Sequence, residues 1–284
     1  MRFLAFLDKN GQPALGVRLG DEVVDVTALG QPATLDELLA RGPQALRSAH
    51  AVAEGATARL PLASLRLLPP VRNPSKAFAI GLNYVDHAAE SQFDLPKHPV
   101  IFQRFPSSWV AHGEALIRPR VSERFDYEAE LVAVIGKAGK YIPKERALEH
   151  VAGYSVFNDG SLRDYQTRSG QWLWGKNFDR SGGFGPEFVS ADELPPGAVG
   201  LNIQCRLNGQ VMQNANTRDM IFDVATLVSA CSEGMELQPG DIIITGTPSG
   251  VGLARNPQVW MKPGDTCDIE VERVGVLSNH IEAE

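Results

Sequence analysis

The chain has no run of apolar residues approaching the roughly 20 that a membrane-spanning helix needs, so no membrane span is expected. Cysteine is scarce. Cys205, Cys231 and Cys267 stand far apart, with no CxxC pair. That excludes a zinc ribbon or a disulfide framework and points to a reduced, cytoplasmic setting. The first residues, MRFLAFLDKNGQ, turn polar too soon for a secretory signal. Basic charge is also short, with 27 Lys and Arg against 34 Asp and Glu and a net charge of −7. Nucleic acid, which needs a basic patch, is therefore not the expected partner. GxGxxG, GxSxG and HExxH are all missing, which removes support for a dinucleotide fold, a serine hydrolase and a zincin. Residues 170–176 match the first seven positions of a phosphate-binding loop. Asn177, however, stands where Ser or Thr must meet magnesium, and two tryptophans crowd the segment.

Glycine (27) and proline (19) are plentiful, which describes a loop-rich globular chain. Residues 2–8 and 14–19 flank Asn10-Gly11, a hairpin turn pair, and 22–26 can add a strand. Thr34 reads as the cap of a helix over 35–40, with Glu37 three residues on, and a second helix is expected over 43–53. Prolines at 61, 69, 70 and 74 mark a boundary, giving a small β-rich unit over 1–70 and a larger one over 71–284.

In the larger unit, strands are expected over 76–82, 99–105, 127–135, 154–157, 201–207, 241–245 and 266–276. Helices are expected over 143–151 and 219–232, the latter with apolar residues at 220, 221, 224, 227, 228 and 231. Asn83 should cap a short lid segment. Asn208-Gly209 is a second hairpin turn. Strands dominate without regular βαβ alternation, so the class is α+β.

Glu128-Ala129-Glu130 lies in an alternating strand, so both carboxylates share one face, roughly 7 Å apart at Cα. Such a pair repels unless a cation lies between its members, although an exposed acidic edge would look the same. Asp159 ends an apolar strand and adds a third carboxylate. Three oxygen donors without clustered Cys or His suit magnesium or manganese better than zinc. His87 and Glu90 sit at i and i+3. On a helix, the carboxylate orients the imidazole as a general base, or the two form an ordinary surface pair. Lys176 follows two tryptophans, which suits either an oxyanion stabiliser or a solvated surface lysine. Arg163 can clamp a substrate carboxylate or pair with Asp164. The glycine-rich stretch 245–252 allows backbone amides to approach a ligand, and a plain tight turn fits as well.

Taken in order, these segments resemble the fumarylacetoacetate hydrolase family. The matches are Gly81-Leu82-Asn83-Tyr84 with His87 and Glu90, Asp126-Tyr127-Glu128-Ala129-Glu130-Leu131, and Asn158-Asp159 with Arg163-Asp164 and Gln166. They continue with Gly175-Lys176-Asn177-Phe178-Asp179, Pro239-Gly240-Asp241, and Thr245-Gly246-Thr247-Pro248 with Gly250-Val251-Gly252. The likeness runs from about residue 71 to the end of the chain. It implies a mixed β-roll catalytic domain, a small N-terminal β-rich domain and a homodimer. It further implies a divalent ion, Mg2+ or Mn2+, on Glu128, Glu130 and Asp159. His87 and Glu90 would lie on a lid, Lys176 beside the ion, and Arg163, Gln166, Thr247 and Tyr84 against the substrate. The implied activity is hydrolytic carbon–carbon cleavage of a 2,4-dioxo acid of the acylpyruvate or fumarylpyruvate type. An oxaloacetate-type decarboxylase or a 2-hydroxy-diene-dioate isomerase would use the same site. Leu82, where many members carry Arg, and residues 160–162 and 180–184 depart from the family pattern and bear on substrate identity.

Overall fold

The computed structural model describes residues 1–86 and 95–284, so His87 and Glu90 lie outside the described residues. Strands β1 (Arg2–Leu7) and β2 (Pro13–Leu19) form the hairpin expected at Asn10-Gly11. The Asp8 carboxylate accepts the Asn10 and Gln12 amides and fixes that turn. Strand β3 (Glu22–Asp25) pairs with β2. Helix α1 (Leu35–Ala40) starts where the Thr34 hydroxyl accepts the Glu37 N–H. Helix α2 (Pro43–Gly55) opens with proline at its first turn. The short strands β4 (Leu60–Pro61) and β5 (Leu67–Leu68) complete the N-terminal unit.

The larger unit begins with β6 (Ala77–Gly81), β7 (Val100–Gln103), β8 (Trp109–Val110), β9 (Leu116–Arg118) and β10 (Phe125–Asp126). Next come β11 (Ala129–Ile135), β12 (Val151–Asn158) and β13 (Ser161–Leu162), then the single-turn helices α3 (Arg163–Gln166) and α4 (Leu173–Lys176). Strands β14 (Gly182–Ser190), β15 (Asn202–Leu207) and β16 (Gln210–Asn216) precede helix α5 (Val224–Gly234). Strands β17 (Ile242–Ile244), β18 (Thr266–Val271) and β19 (Gly275–Ala283) end the chain.

The α+β class read from the sequence holds. A large open mixed sheet runs β4-β3-β2-β1-β14-β12-β11-β17-β6-β7, with β5 on β1 and β8 on β14. A second sheet runs β16-β15-β18-β19-β9. The pairs β17–β6, β14–β8 and β19–β9 are parallel and the other named pairs antiparallel. Strand β11 explains the layering. Its sequence AELVAVI is buried at every position because both faces are covered. Leu131, Ala133 and Ile135 join the core shared with the second sheet, while Val132 and Val134 join the core shared with α1 and α2. Each large aliphatic side chain so buried contributes about 1.5–3 kcal/mol. This strand anchors the position of the acidic pair at its start.

Some elements differ from the sequence reading. The helix expected over 143–151 is a 3-10 stretch, Lys144–His150. Helix α5 starts at Val224 rather than 219 because the Asp223 carboxylate accepts the Thr226 amide and caps it there. The strand expected over 266–276 ends at Val271, and the chain turns back into β19. Strand β14 shows no hydrophobic alternation in its first residues, Gly182-Gly183-Phe184-Gly185-Pro186, yet it lies between β1 and β12. The segment that Asn83 is expected to cap runs into residues outside the described ones; the Asn83 side chain bridges Phe222 and Thr245.

Candidate active site

Glu128 and Glu130 flank the first residue of β11, and Asp159 directly follows β12, the antiparallel neighbour of that strand. The Asp159 N–H donates to the Glu128 carbonyl at 3.0 Å, and the Glu128 N–H donates to Asn158 Oδ1 at 3.1 Å. These bonds bring the three side chains together. One carboxylate oxygen from each of Glu128, Glu130 and Asp159 lies within 4.8 Å of the others, and all three residues are buried.

Three buried cations surround them. Lys176 at the end of α4 donates through Nζ to Glu128 Oε2 at 2.6 Å and to Asp159 Oδ2 at 2.7 Å. Arg104 donates to Asp159 Oδ1 at 2.7 Å and to the Gly160 and Ser108 carbonyls at 3.0 and 3.1 Å. Arg163 bonds Asp126 Oδ2 at 2.8 Å, Glu128 Oε1 at 2.7 Å and Gln166 Oε1 at 2.9 Å, while Asp164 instead accepts from Ser122. Asp126 also accepts the Gly252 and Leu253 amides, tying the glycine-rich loop to the site. The Gly246 N–H donates to Glu130 Oε2. Gly246 has φ of +100°, and a Cβ there would come within 2.7 Å of Asn83 Cβ, so glycine alone fits. Gly175 is needed for a different reason: a Cβ would lie 2.4 Å from the Gln166 backbone nitrogen, so only glycine lets α4 approach α3 closely enough to aim Lys176 inward.

Burial pushes the Glu130 carboxyl well above the usual carboxylate range, and the neighbouring Asp159 and Glu128 charges add to the rise. Burial pulls the Arg104 guanidinium below its ordinary value, opposed by Asp159. Burial works the same way on Arg163, but Asp126 and Glu128 outweigh it and the net shift is upward. Burial raises the Tyr84 phenol, and the Glu130 charge raises it further. The Tyr84 hydroxyl and Arg163 Nη2 are buried polar atoms with no partner among the described residues. Such orphans are costly unless a ligand meets them. Aromatic rings wall the cleft beside Lys176: Phe102 lies under its ammonium with a centroid distance of 5.2 Å, and Trp172 meets Phe102 edge-on at 5.8 Å.

The structure brings Glu128, Glu130, Asp159, Lys176, Arg163 and Gln166 together, with Tyr84 near enough to feel the Glu130 charge and Thr247 next to Gly246 in the loop that holds Glu130. Sequence reasoning missed Arg104 and Gln213, and it marked Asn158 as part of a motif without giving it a role. A lone arginine in Gln103-Arg104-Phe105 carries no spacing signal, and only its complete burial marks it. The three-carboxylate donor set is all oxygen, buried and mutually repelling, and it fits a hard divalent cation.

Residues 76–282 match the family profile described as fumarylacetoacetate (FAA) hydrolase C-terminal. The mitochondrial oxaloacetate tautomerase fahd2 of Xenopus laevis is 39% identical over 99% of this chain and 90% of its own length. Among solved structures, a fumarylacetoacetate hydrolase from Exiguobacterium antarcticum superposes with a TM-score of 0.87 at 34% identity, covering 100% of both chains. Maleylpyruvate hydrolase from Sphingobium sp. SYK-6, solved with manganese(II) and pyruvate, superposes at 0.83 with 30% identity, covering 100% of this chain and 99% of its own. With a profile matching residues 76–282 and relatives alike from end to end, the chain is a member of the fumarylacetoacetate hydrolase family of enzymes.

Proposed function

We propose that this enzyme interconverts the keto and enol forms of a short 2-oxo diacid of the oxaloacetate type, with Mg2+ or Mn2+ held by Glu128, Glu130 and Asp159. The observation that carries this reading is the meeting of Lys176 and Arg163 on one buried carboxylate, Glu128, at 2.6 and 2.7 Å. Two fixed cations thereby face the place where an enolate would develop negative charge. The choice of oxaloacetate leans on the end-to-end likeness to a protein named oxaloacetate tautomerase.

Among the described residues, and with every group counted as ionised, four buried carboxylates (Asp126, Glu128, Glu130, Asp159) stand against three buried cations (Arg104, Arg163, Lys176). A divalent ion would reverse that single net negative charge, which favours an anionic substrate. Bound at the three carboxylates, the ion supplies Lewis acidity toward the 2-oxo group. Arg163 Nη2, the Thr247 hydroxyl and Gln166 hold the C1 carboxylate. The Tyr84 hydroxyl offers one more donor. Lys176 stabilises charge at the C2 oxygen, an effect of about 2.7–4 kcal/mol for a good oxyanion donor. His87, oriented by Glu90, moves the proton at C3 and returns it in the opposite direction. Those two roles rest on the i, i+3 spacing together with the family resemblance.

A second reading is hydrolysis of a 2,4-dioxo acid. The His87–Glu90 pair, which suits water activation, and the likeness to a maleylpyruvate hydrolase favour it. The test follows the decay of the enol absorbance of oxaloacetate, with Mg2+ or Mn2+ and with chelator, beside release of two acids from acylpyruvates. The expected result is metal-dependent decay well above the uncatalysed rate, reduced about 100-fold or more in Lys176→Met, since one oxyanion donor is worth 10²–10³. Acylpyruvate cleavage without accelerated enol decay would replace this reading with the hydrolytic one.

A further inference from the structure

Gln213 sits on β16 in the second sheet, on none of the strands that carry the acidic residues, yet its buried side chain reaches the site. Its Oε1 accepts the Ala129 N–H at 2.9 Å. Its Nε2 donates to Thr247 Oγ1 at 2.8 Å and to the Pro248 carbonyl at 2.8 Å. This orientation is forced. A backbone N–H can only donate and a carbonyl can only accept, so Ala129 and Pro248 together dictate which end of the amide faces which way. Thr247 Oγ1 therefore receives a proton from Gln213 and must direct its own elsewhere. Among the described residues no acceptor takes it. Thr247 follows Gly246, whose amide holds Glu130, so this hydroxyl lies beside the acidic cluster. Ala129 sits between Glu128 and Glu130, so the same amide also pins the strand that carries them.

We infer that Gln213 is a positioning residue that locks the Thr247 hydroxyl as a donor toward a ligand oxygen. The inference rests on the reading that the site takes a 2-oxo acid. It concerns ligand recognition, so it can be tested by binding without turnover. The probe is oxalate, a planar dicarboxylate shaped like the enol form, titrated calorimetrically against the full chain in saturating Mn2+. Gln213→Glu keeps the shape and the Ala129 bond, but an ionised carboxylate only accepts, so it would capture the Thr247 proton. Thr247→Val removes the hydroxyl.

Each single variant should bind oxalate about tenfold more weakly, the scale of one lost hydrogen bond. The double variant should be no more than about threefold worse than the weaker single, because the two residues act through one proton. Unchanged affinity in Gln213→Glu, or effects that multiply in the double variant, would overturn the inference. If Gln213→Glu does not fold, Thr247→Ser carries the test: it should retain wild-type affinity within about threefold where Thr247→Val does not, and equal affinities would overturn it. Wild-type chain that binds no oxalate sinks both this inference and the functional reading. Oxalate binding without enol decay sinks the proposed reaction alone.

Discussion

Asp159 is gripped at both oxygens, by Arg104 on one and Lys176 on the other. Arg104 has no route to water, and all three of its guanidinium nitrogens have partners within the protein. Removing one partner of such a buried pair strands the other charge. Arg104→Met should therefore lower unfolding free energy by about 3–5 kcal/mol, measured by urea denaturation. A loss below about 1 kcal/mol would mean that the pair is not buried as described. Glu130 is the reverse case, since its two acidic neighbours and its burial disfavour its charge. Glu130→Gln should raise the melting temperature in chelator by a few degrees, while abolishing the further rise that Mn2+ produces in wild type. At this scale the sequence was partly legible. The shared face of Glu128 and Glu130 follows from strand period alone. The Arg163 partner does not, because Asp164, adjacent in sequence, points away to Ser122.

At the scale of elements, the site is built where strands end. Strands β11 and β12 are held in register from Ala129↔Asn158 to Val134↔Gly153, and the carboxylates lie at and just beyond the Ala129 end, where the ladder stops and side chains can converge. Loops from other strands close over them. Asn83, just after β6, donates to the carbonyls of Phe222 and Thr245 at 3.0 and 2.7 Å and accepts the Phe222 amide at 2.8 Å. It thus fastens the loop after β17 to the start of α5. Asn83→Ala takes this partner from three backbone groups, the buried Thr245 carbonyl and the half-buried Phe222 N–H and carbonyl, and should cost about 2–4 kcal/mol, with faster amide exchange across 245–252 than elsewhere. Uniform exchange in the variant would argue against that fastening. The hairpin turns at Asn10-Gly11 and Asn208-Gly209 were legible because Asn-Gly favours positive φ, and the structure has it at Gly11, Asn208 and Gly209. Strand β14 was not, because glycine and proline normally weaken a strand and its place depends on β1 and β12 on either side.

At the scale of the whole molecule, the large sheet crosses the expected 70/71 boundary. Strand β1 pairs with β14 at Arg2↔Val189 and Phe3↔Phe188, and Arg2 reaches the buried Glu187. Two units by composition thus share one sheet. A chain cut to 71–284 would bare the edge of β14 at Phe188 and Val189 and the ring of Phe188, which packs on Phe3. It should aggregate or lose its cooperative melt, as read by size-exclusion chromatography and circular dichroism, and a monomer with a sharp melt would show that the larger unit folds alone. Among the described residues, no helix is long and apolar enough to cross a membrane.

The sequence by itself determined the turns, the α+β class and the shared face of the acidic pair, because each follows from neighbours within a few residues. It also carried the ordered motifs that mark the family. Tertiary structure alone decided which charges meet. Lys176 lies 48 residues from Glu128, Arg104 lies 55 from Asp159, and Gln213 lies 34 from Thr247. No local propensity links such pairs. They meet because the buried sheets fix the strand ends, and buried charge and buried polar groups are tolerated only where a partner stands within hydrogen-bond reach.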